Sequence, residues 1–202
     1  MAARVSGTEG YAEAAAAMLA RPLSFDEVHR PVLHLMPTQP CRVLDIGAGA
    51  GHDAADLAAM GHGVVAVEPT EALRVPATAL YPSPAIEWID DSLPELTALA
   101  ARAGTFDLVL LTAVWMHLDA EQRRRAMANV APLLRAGGML IMSLRHGPVP
   151  EGRRMFEVSG DETIGLAAAQ SLSPLLQRRA NSVQEHNRRA GVTWTWLAFA
   201  KA

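Results

Sequence analysis

Residues 43 to 51 read Val-Leu-Asp-Ile-Gly-Ala-Gly-Ala-Gly, a short apolar strand that breaks into alternating glycines before a helix-like stretch. Few architectures use such a segment, because main chain without β-carbons at the end of a buried strand brings backbone and ligand close together. Gly47, Gly49 and Gly51 permit the tight strand-to-helix turn, and Asp45 precedes them at the strand tip, where a carboxylate can face a cation. Position 52 is His52, so the spacing is G-x-G-x-G and lacks the last glycine of the dinucleotide fingerprint G-x-G-x-x-G. A glycine turn with an acid in front suits a ligand bearing an ammonium group better than one bearing a pyrophosphate.

The segments that follow alternate between strand and helix. His52 to Met60 carries apolar residues at helical spacing, Gly61 and Gly63 end it, and Val64-Val65-Ala66-Val67 reads as a buried strand. Glu68 ends that strand, 17 residues beyond Gly51, where an acid accepts hydrogen bonds from both hydroxyls of a ribose and repels a 2′-phosphate. A third strand, Ala85 to Ile89, ends in Asp90-Asp91-Ser92, which offers an acceptor for an adenine amino group. The fourth, Phe106 to Thr112, leads into Ala113-Val114-Trp115-Met116-His117, and the fifth, Met139 to Ser143, follows the Gly137-Gly138 turn. This alternation predicts a Rossmann-like α/β fold, a mostly parallel sheet with helices on both faces and its ligand at the carboxyl ends of the strands.

From about residue 40 to the end, the chain resembles a class I S-adenosylmethionine-dependent methyltransferase. The resemblance rests on DIGAGAG as cofactor loop, the acid Glu68, the FDLVLLTAVWMHL segment and LLRAGGMLIMSL as fifth strand. It implies a seven-stranded sheet closed by a C-terminal antiparallel pair, here Leu175 to Gln184 and Val192 to Ala200 around a turn at His186-Asn187-Arg188-Arg189. It further implies S-adenosyl-L-methionine as cofactor, held by Asp45, Gly47, Ala48, Gly49, Gly51, Glu68, Pro69, Asp91 and Ser92, with backbone at Ala113 and Val114 facing the methionine part. The expected activity is methyl transfer to oxygen or nitrogen of a small-molecule acceptor. A domain that binds the cofactor as a sensor or scaffold, without turnover, needs the same residues.

Composition bounds the alternatives. A chain of 202 residues is most simply one domain, here a helical lid over 1–38 followed by a methyltransferase domain over 39–202. A formal net charge of −3 gives no electrostatic reason to expect nucleic acid. The fourth-strand segment also lacks the Asn/Asp-Pro-Pro-aromatic stretch of nucleic-acid amino-methyltransferases. The single cysteine, Cys41, reads as a small apolar residue at a strand start, and no carboxylate/histidine cluster marks a metal site. No apolar run reaches the ~18 residues of a membrane span. Glu9 and Glu13 interrupt what would be a signal core, so the expected location is cytoplasmic. Neither monomer nor homodimer is selected.

Two helices precede the first strand, Tyr11 to Arg21 and one opened by the capping box Ser24-Phe25-Asp26-Glu27 that ends near Met36-Pro37. Tyr11, Phe25 and His29 either line an acceptor pocket or, with His29 solvated, dock this hairpin on the sheet. His117, just past the fourth strand, is the candidate general base, set against a structural role under the cofactor loop; His146 competes with it, and His52 reads as a first-turn helix residue. Arg145, in a Pro/Gly-rich loop with Arg153 and Arg154, is the candidate clamp for an acidic group on the acceptor. Arg123-Arg124-Arg125 reads as a solvated helix face. Trp194 and Trp196 read as packing residues, and Trp115 as the tryptophan best placed to touch cofactor or substrate.

Overall fold

Alternate residues of the central strands bury on opposite faces of one sheet. In the computed structural model, which describes residues 5–20 and 23–202, this sheet has seven strands. They are β1 (Arg42–Ile46), β2 (Gly63–Val67), β3 (Ile86–Ile89), β4 (Phe106–Leu111), β5 (Leu134–His146), β6 (Leu172–Asn181) and β7 (Thr193–Lys201). The order is β3-β2-β1-β4-β5-β7-β6; β1 to β5 run parallel, and β7 is antiparallel to β5 and β6. The chain winds to one side of β1 through β2 and to the other through β4. The crevice therefore opens at the carboxyl ends of β1 and β4.

Helices cover both faces. Leu44, Ile46, Val65, Val67, Val109, Leu111 and Met142 pack with Ala126, Met127 and Val130 of α5 (Ala120–Val130) and Ala167 of α6 (Gly160–Ala168). On the other face Val43, Val64, Ala66, Leu108, Leu110 and Ile141 meet Ala54 and Leu57 of α3 (His52–Ala59) and Phe25 of α2 (Phe25–His29). Near the glycine turn, α1 (Tyr11–Ala20) packs its Ala15 with Ala50 and with Leu73 of α4 (Glu71–Leu80). Arg21, the expected end of the first helix, lies outside the described residues. Among the described residues, no helix is long and apolar enough to cross a membrane.

Several boundaries differ from the sequence expectation, each for a local reason. The second helix stops at His29 and resumes only as a 3-10 turn over Leu33–Leu35, because Pro31 has no N–H to continue the ladder. Ser24 caps α2 by position without a side-chain bond; a capping box forms instead at α5, where Asp119 accepts from the Gln122 amide at 2.8 Å. The fifth strand begins before the Gly137-Gly138 turn: Phe106 pairs with Leu134 and Leu108 with Met139, so the intervening residues bulge out. The sixth strand starts three residues early, at Leu172, and takes in Pro174, which lacks a donor but sits on the sheet edge. The hairpin tip tightens into α7 (Glu185–Arg189).

Arg123 contradicts the solvated reading of its run. Its side chain is buried on α5, where Nε donates to Glu162 Oε1 at 2.9 Å and NH1 to the Leu118 carbonyl at 2.6 Å. Arg124 and Arg125 do stay exposed and pair with Glu121 and Glu95. Losing the buried guanidinium strands a carbonyl and half-buries a lone carboxylate, so Arg123→Met should cost about 2 kcal/mol. Urea denaturation checks this, with Arg124→Met, expected to leave the midpoint in place, as control.

Candidate active site

Strand β1 ends at Ile46 and α3 opens at His52, and the turn between them holds Gly47, Gly49 and Gly51 at φ of 76°, 55° and 80°. Each position excludes a side chain for its own reason. A β-carbon on Gly47 would lie 2.5 Å from Val114 Cγ2, and one on Gly51 would lie 2.7 Å from the Trp88 ring. One on Gly49 would meet nothing nearer than Met18 Cε at 3.7 Å, so its missing side chain leaves open space. Four of the loop amides are already spent. Gly47 and Ala48 donate to the Val67 carbonyl at 2.8 and 3.0 Å, Gly49 donates to Glu68 Oε2 at 2.9 Å, and Gly51 donates to Ala48. A diphosphate would seek such amides and find these engaged.

The charges nearby point the same way. Glu68 is buried, and its second oxygen accepts the Thr70 amide at 2.7 Å; burial still raises its carboxyl above the ordinary range. Asp45 is buried beneath the loop, and its Oδ2 has no partner among the described residues. Burial, reinforced by Asp53 and Glu68, holds the Asp45 carboxyl well above the usual carboxylate range. Asp53 is raised by the same burial, opposed by His29. Three acids converging on one loop call for a cation. S-adenosylmethionine carries two, a sulfonium and an ammonium, and so fits, whereas a nicotinamide dinucleotide would add negative charge.

Above the loop lies a cavity of about 160 Å³. Nine of the expected residues meet in its wall: Gly47, Gly49, Glu68, Pro69, Asp91, Ser92, Ala113, Val114 and His117. Asp45, Ala48 and Gly51 do not line it; Ala48 packs into the core and Gly51 against Trp88. Asp91 accepts the amides of Ser92 and Ala98, both at 2.8 Å, which fixes its carboxylate and leaves lone pairs for a ligand. Val5 to Thr8 and Tyr11 complete the wall. Tyr11 is a candidate pocket residue from the sequence, whereas nothing in the sequence marks Val5 to Thr8, whose long-range side-chain partners lie more than a hundred residues away.

His117 is buried in this wall, bonded through Nδ1 to the Arg154 carbonyl and through Nε2 to Tyr11 Oη, both at 2.8 Å. Only a protonated Nδ1 can donate to a carbonyl, so Nε2 holds the lone pair and accepts the tyrosine proton. Burial lowers the His117 pKa and raises that of Tyr11, which keeps both groups neutral. Preceding them, Ala113 adopts a left-handed φ of 60°, held where its amide donates to Ser143 Oγ at 2.9 Å. Such strain costs on the order of 1–3 kcal/mol and persists where surrounding structure imposes it.

A second, larger cavity of about 890 Å³ shares Tyr11, Met18, Thr112 and Ala113 with the first. Arg145 lines it, as do Trp194 and Trp196. Three other expectations fail. His146 lines neither cavity, because β5 continues through it and its Nε2 bonds Thr195 Oγ1 at 2.8 Å. His29 is neither solvated nor in a cavity wall: it stacks on Phe25 and bonds the Phe25 carbonyl and Thr112 Oγ1 at 3.1 and 3.2 Å. Trp115 is wholly buried in the core, turned inward by the 3-10 turn after β4, and Trp88 backs the glycine loop. His52 does open α3, bonding the Tyr81 hydroxyl at 2.6 Å. Thr112 and Ser143, which no motif singled out, support the wall between the cavities.

Residues 43–138 match the family described as a methyltransferase domain. No curated protein matches the chain in sequence. Among solved structures, the fold is similar to the 1,6-didemethyltoxoflavin N1-methyltransferase of Burkholderia thailandensis, solved with 1,6-didemethyltoxoflavin and S-adenosylhomocysteine bound (TM-score 0.68, 23% identity, 96% of this chain and 79% of that one). It is likewise similar to a TehB-like methyltransferase of Corynebacterium glutamicum (TM-score 0.68, 21% identity, 96% and 97%). A third is the phosphoethanolamine N-methyltransferase 2 of Haemonchus contortus, with phosphomonomethylethanolamine and S-adenosylhomocysteine (TM-score 0.65, 13% identity, 88% and 53%). The matched segment runs from β1 to the bulge of β5 and contains the loop, Glu68 and His117; the segment is similar to a methyltransferase domain, and the fold is that of S-adenosylmethionine-dependent methyltransferases.

Proposed function

We propose that the chain methylates an oxygen or nitrogen of a small-molecule acceptor, with the cofactor in the smaller cavity and the acceptor in the larger. The observation that carries this reading is the wall common to both, in which Tyr11 faces each cavity and is bonded to His117. The related Burkholderia and Haemonchus enzymes were solved with small molecules bound, which supports an acceptor of that size. S-adenosylmethionine supplies an electrophilic methyl carbon, transferred by in-line displacement. Residues 1–38 act as the lid over the domain of residues 39–202, and the protein works in the cytoplasm.

The chain's own residues then divide the work. Glu68 has lone pairs left for ribose hydroxyls, Asp91 and Ser92 stand at the adenine end, and Gly47, Gly49 and the backbone of Ala113 and Val114 hold the methionine part. Asp45 and Gly51 act from beneath the loop, the first as a buried carboxyl whose ionised form the cofactor's cation stabilises and the second as space for Trp88. Alignment of the two partners supplies much of the rate. The acceptor's proton leaves to Tyr11 Oη as the tyrosine proton passes to His117 Nε2, so the histidine is the base and the tyrosine its relay.

His117→Ala and Tyr11→Phe should each lower kcat by about 10²-fold, with a much smaller change in cofactor affinity. In the wild type the acid limb of kcat/KM should lie below the ordinary histidine value, since burial lowers the His117 pKa, and it should vanish in His117→Ala. Unchanged turnover in both variants would return His117 to a structural role.

Glu68→Ala and Asp45→Asn should each weaken S-adenosylmethionine binding by about tenfold or more in calorimetry, the first through a lost charged hydrogen bond and the second through a lost counter-charge beneath the loop. Asp45→Asn should at the same time stabilise the free protein at neutral pH. Below about pH 4 folded and unfolded chains both keep the Asp45 proton, and the two proteins should match. As pH rises, the unfolded chain sheds that proton while the folded one retains it, so the variant's advantage should grow until the raised Asp45 pKa is passed. Urea midpoints at low and neutral pH measure it; equal cofactor affinity in both variants would overturn the placement.

A further inference from the structure

The larger cavity has an electrostatic character opposite to that of the smaller. Arg30, Arg145, Arg153 and Arg188 line it, and Glu27 is the sole carboxylate among its described lining residues. None of these arginines forms a salt bridge with a described carboxylate, and among the described arginines outside the cavity only Arg42, Arg178 and Arg179 likewise have none. Arg145 donates one N–H to the Pro148 carbonyl at 2.7 Å and approaches Met155 Sδ at 4.0 Å. Arg153 lies with its guanidinium carbon 3.6 Å from the centre of the Tyr11 ring and reaches the Glu9 carbonyl at 3.4 Å. Each therefore keeps several of its five donors unspent.

We infer that this cavity takes an acceptor with an apolar, ring-bearing body and one oxyanion, carboxylate or phosphate monoester, held by Arg145 and Arg153 beside the Tyr11 wall. The inference rests on the proposed methyl transfer and names the class of its acceptor. The oxyanion part follows from the donors. A half-buried guanidinium with no counter-charge gains most from a ligand that brings one, and its planar fork matches carboxylate or phosphate oxygens in pairs. Burial lowers the Arg145 pKa, in keeping with a cation that lacks its anion. The body follows from the remaining wall: Trp194, Trp196, Met116, Met155 and Val28 present apolar and aromatic surface. A cavity of about 890 Å³ admits a ligand of two or three rings. A cationic acceptor would meet repulsion from every arginine that faces it.

The test uses the full chain saturated with S-adenosylhomocysteine and four probes: 3-hydroxy-2-naphthoate, its methyl ester, 1-naphthyl phosphate and tryptamine. Calorimetry should find the naphthoate or the phosphate bound at least about tenfold more tightly than the ester, with tryptamine weakest. The tighter of the two anions identifies which oxyanion the site is built for. Arg145→Gln should reduce the preference for anion over ester to within about threefold and leave S-adenosylhomocysteine affinity in place, and Arg145→Lys should restore part of it. For the wild type, anion affinity should fall with added salt while ester affinity holds, a check that needs no variant. Equal binding of acid and ester, preference for tryptamine, or no binding of either anion to the cofactor-loaded protein would overturn the inference. Failure to bind S-adenosylhomocysteine at all would strike the methyl-transfer reading instead.

Discussion

The hydrogen bond from the Gly49 amide to the Glu68 carboxylate ties the end of β1 to the end of β2, and the rest of the site is arranged around it. It does two jobs with one acid. The carboxylate holds the glycine turn open at the one position where a missing side chain leaves space, and it keeps lone pairs toward the cavity. Val67 adds a second tie by accepting the amides of Gly47 and Ala48. With four of the loop amides engaged and Asp45, Asp53 and Glu68 gathered around them, the loop suits a cation better than the anion usual for a glycine-rich turn at a helix start.

That concentration of acid has a counterpart across the Tyr11 wall. The smaller cavity holds Glu68 and Asp91, and the larger holds arginines without carboxylate partners. A net charge of −3 conceals this separation entirely. The two cavities meet where β4 ends, at a left-handed Ala113 braced by Ser143, and the strain there is offset by the packing of the strands on either side. Tyr11 and His117 stand at the same junction, neutral and hydrogen-bonded, with the histidine lone pair directed at the tyrosine. Arg153 over the tyrosine ring connects that pair to the positive side.

Much of this was legible in the residues. The strand-glycine-helix spacing and the alternation of apolar segments predicted a mostly parallel sheet with helices on both faces, because period and punctuation are local properties; the count of seven strands and the antiparallel pair at the edge came from the family resemblance. They also determined which residues gather at the carboxyl ends of the strands, since a strand's end is its address in this topology. Side-chain direction and partnership were decided by tertiary structure. Arg123 reads as a solvated charge in its run, yet Glu162 and the Leu118 carbonyl, supplied by other segments, bury it. Trp115 and His117 are two residues apart, and the 3-10 turn sends one into the core and the other into the cavity wall. His29 is buried between Phe25 and Thr112, and His146 bonds Thr195, because strands far apart in sequence meet there. The sequence by itself predicted the fold and pointed to a cationic cofactor, because both depend on backbone conformation and short spacings; the acceptor side waited on the long-range contacts that bring the N-terminal segment, β5 and β7 to one cavity.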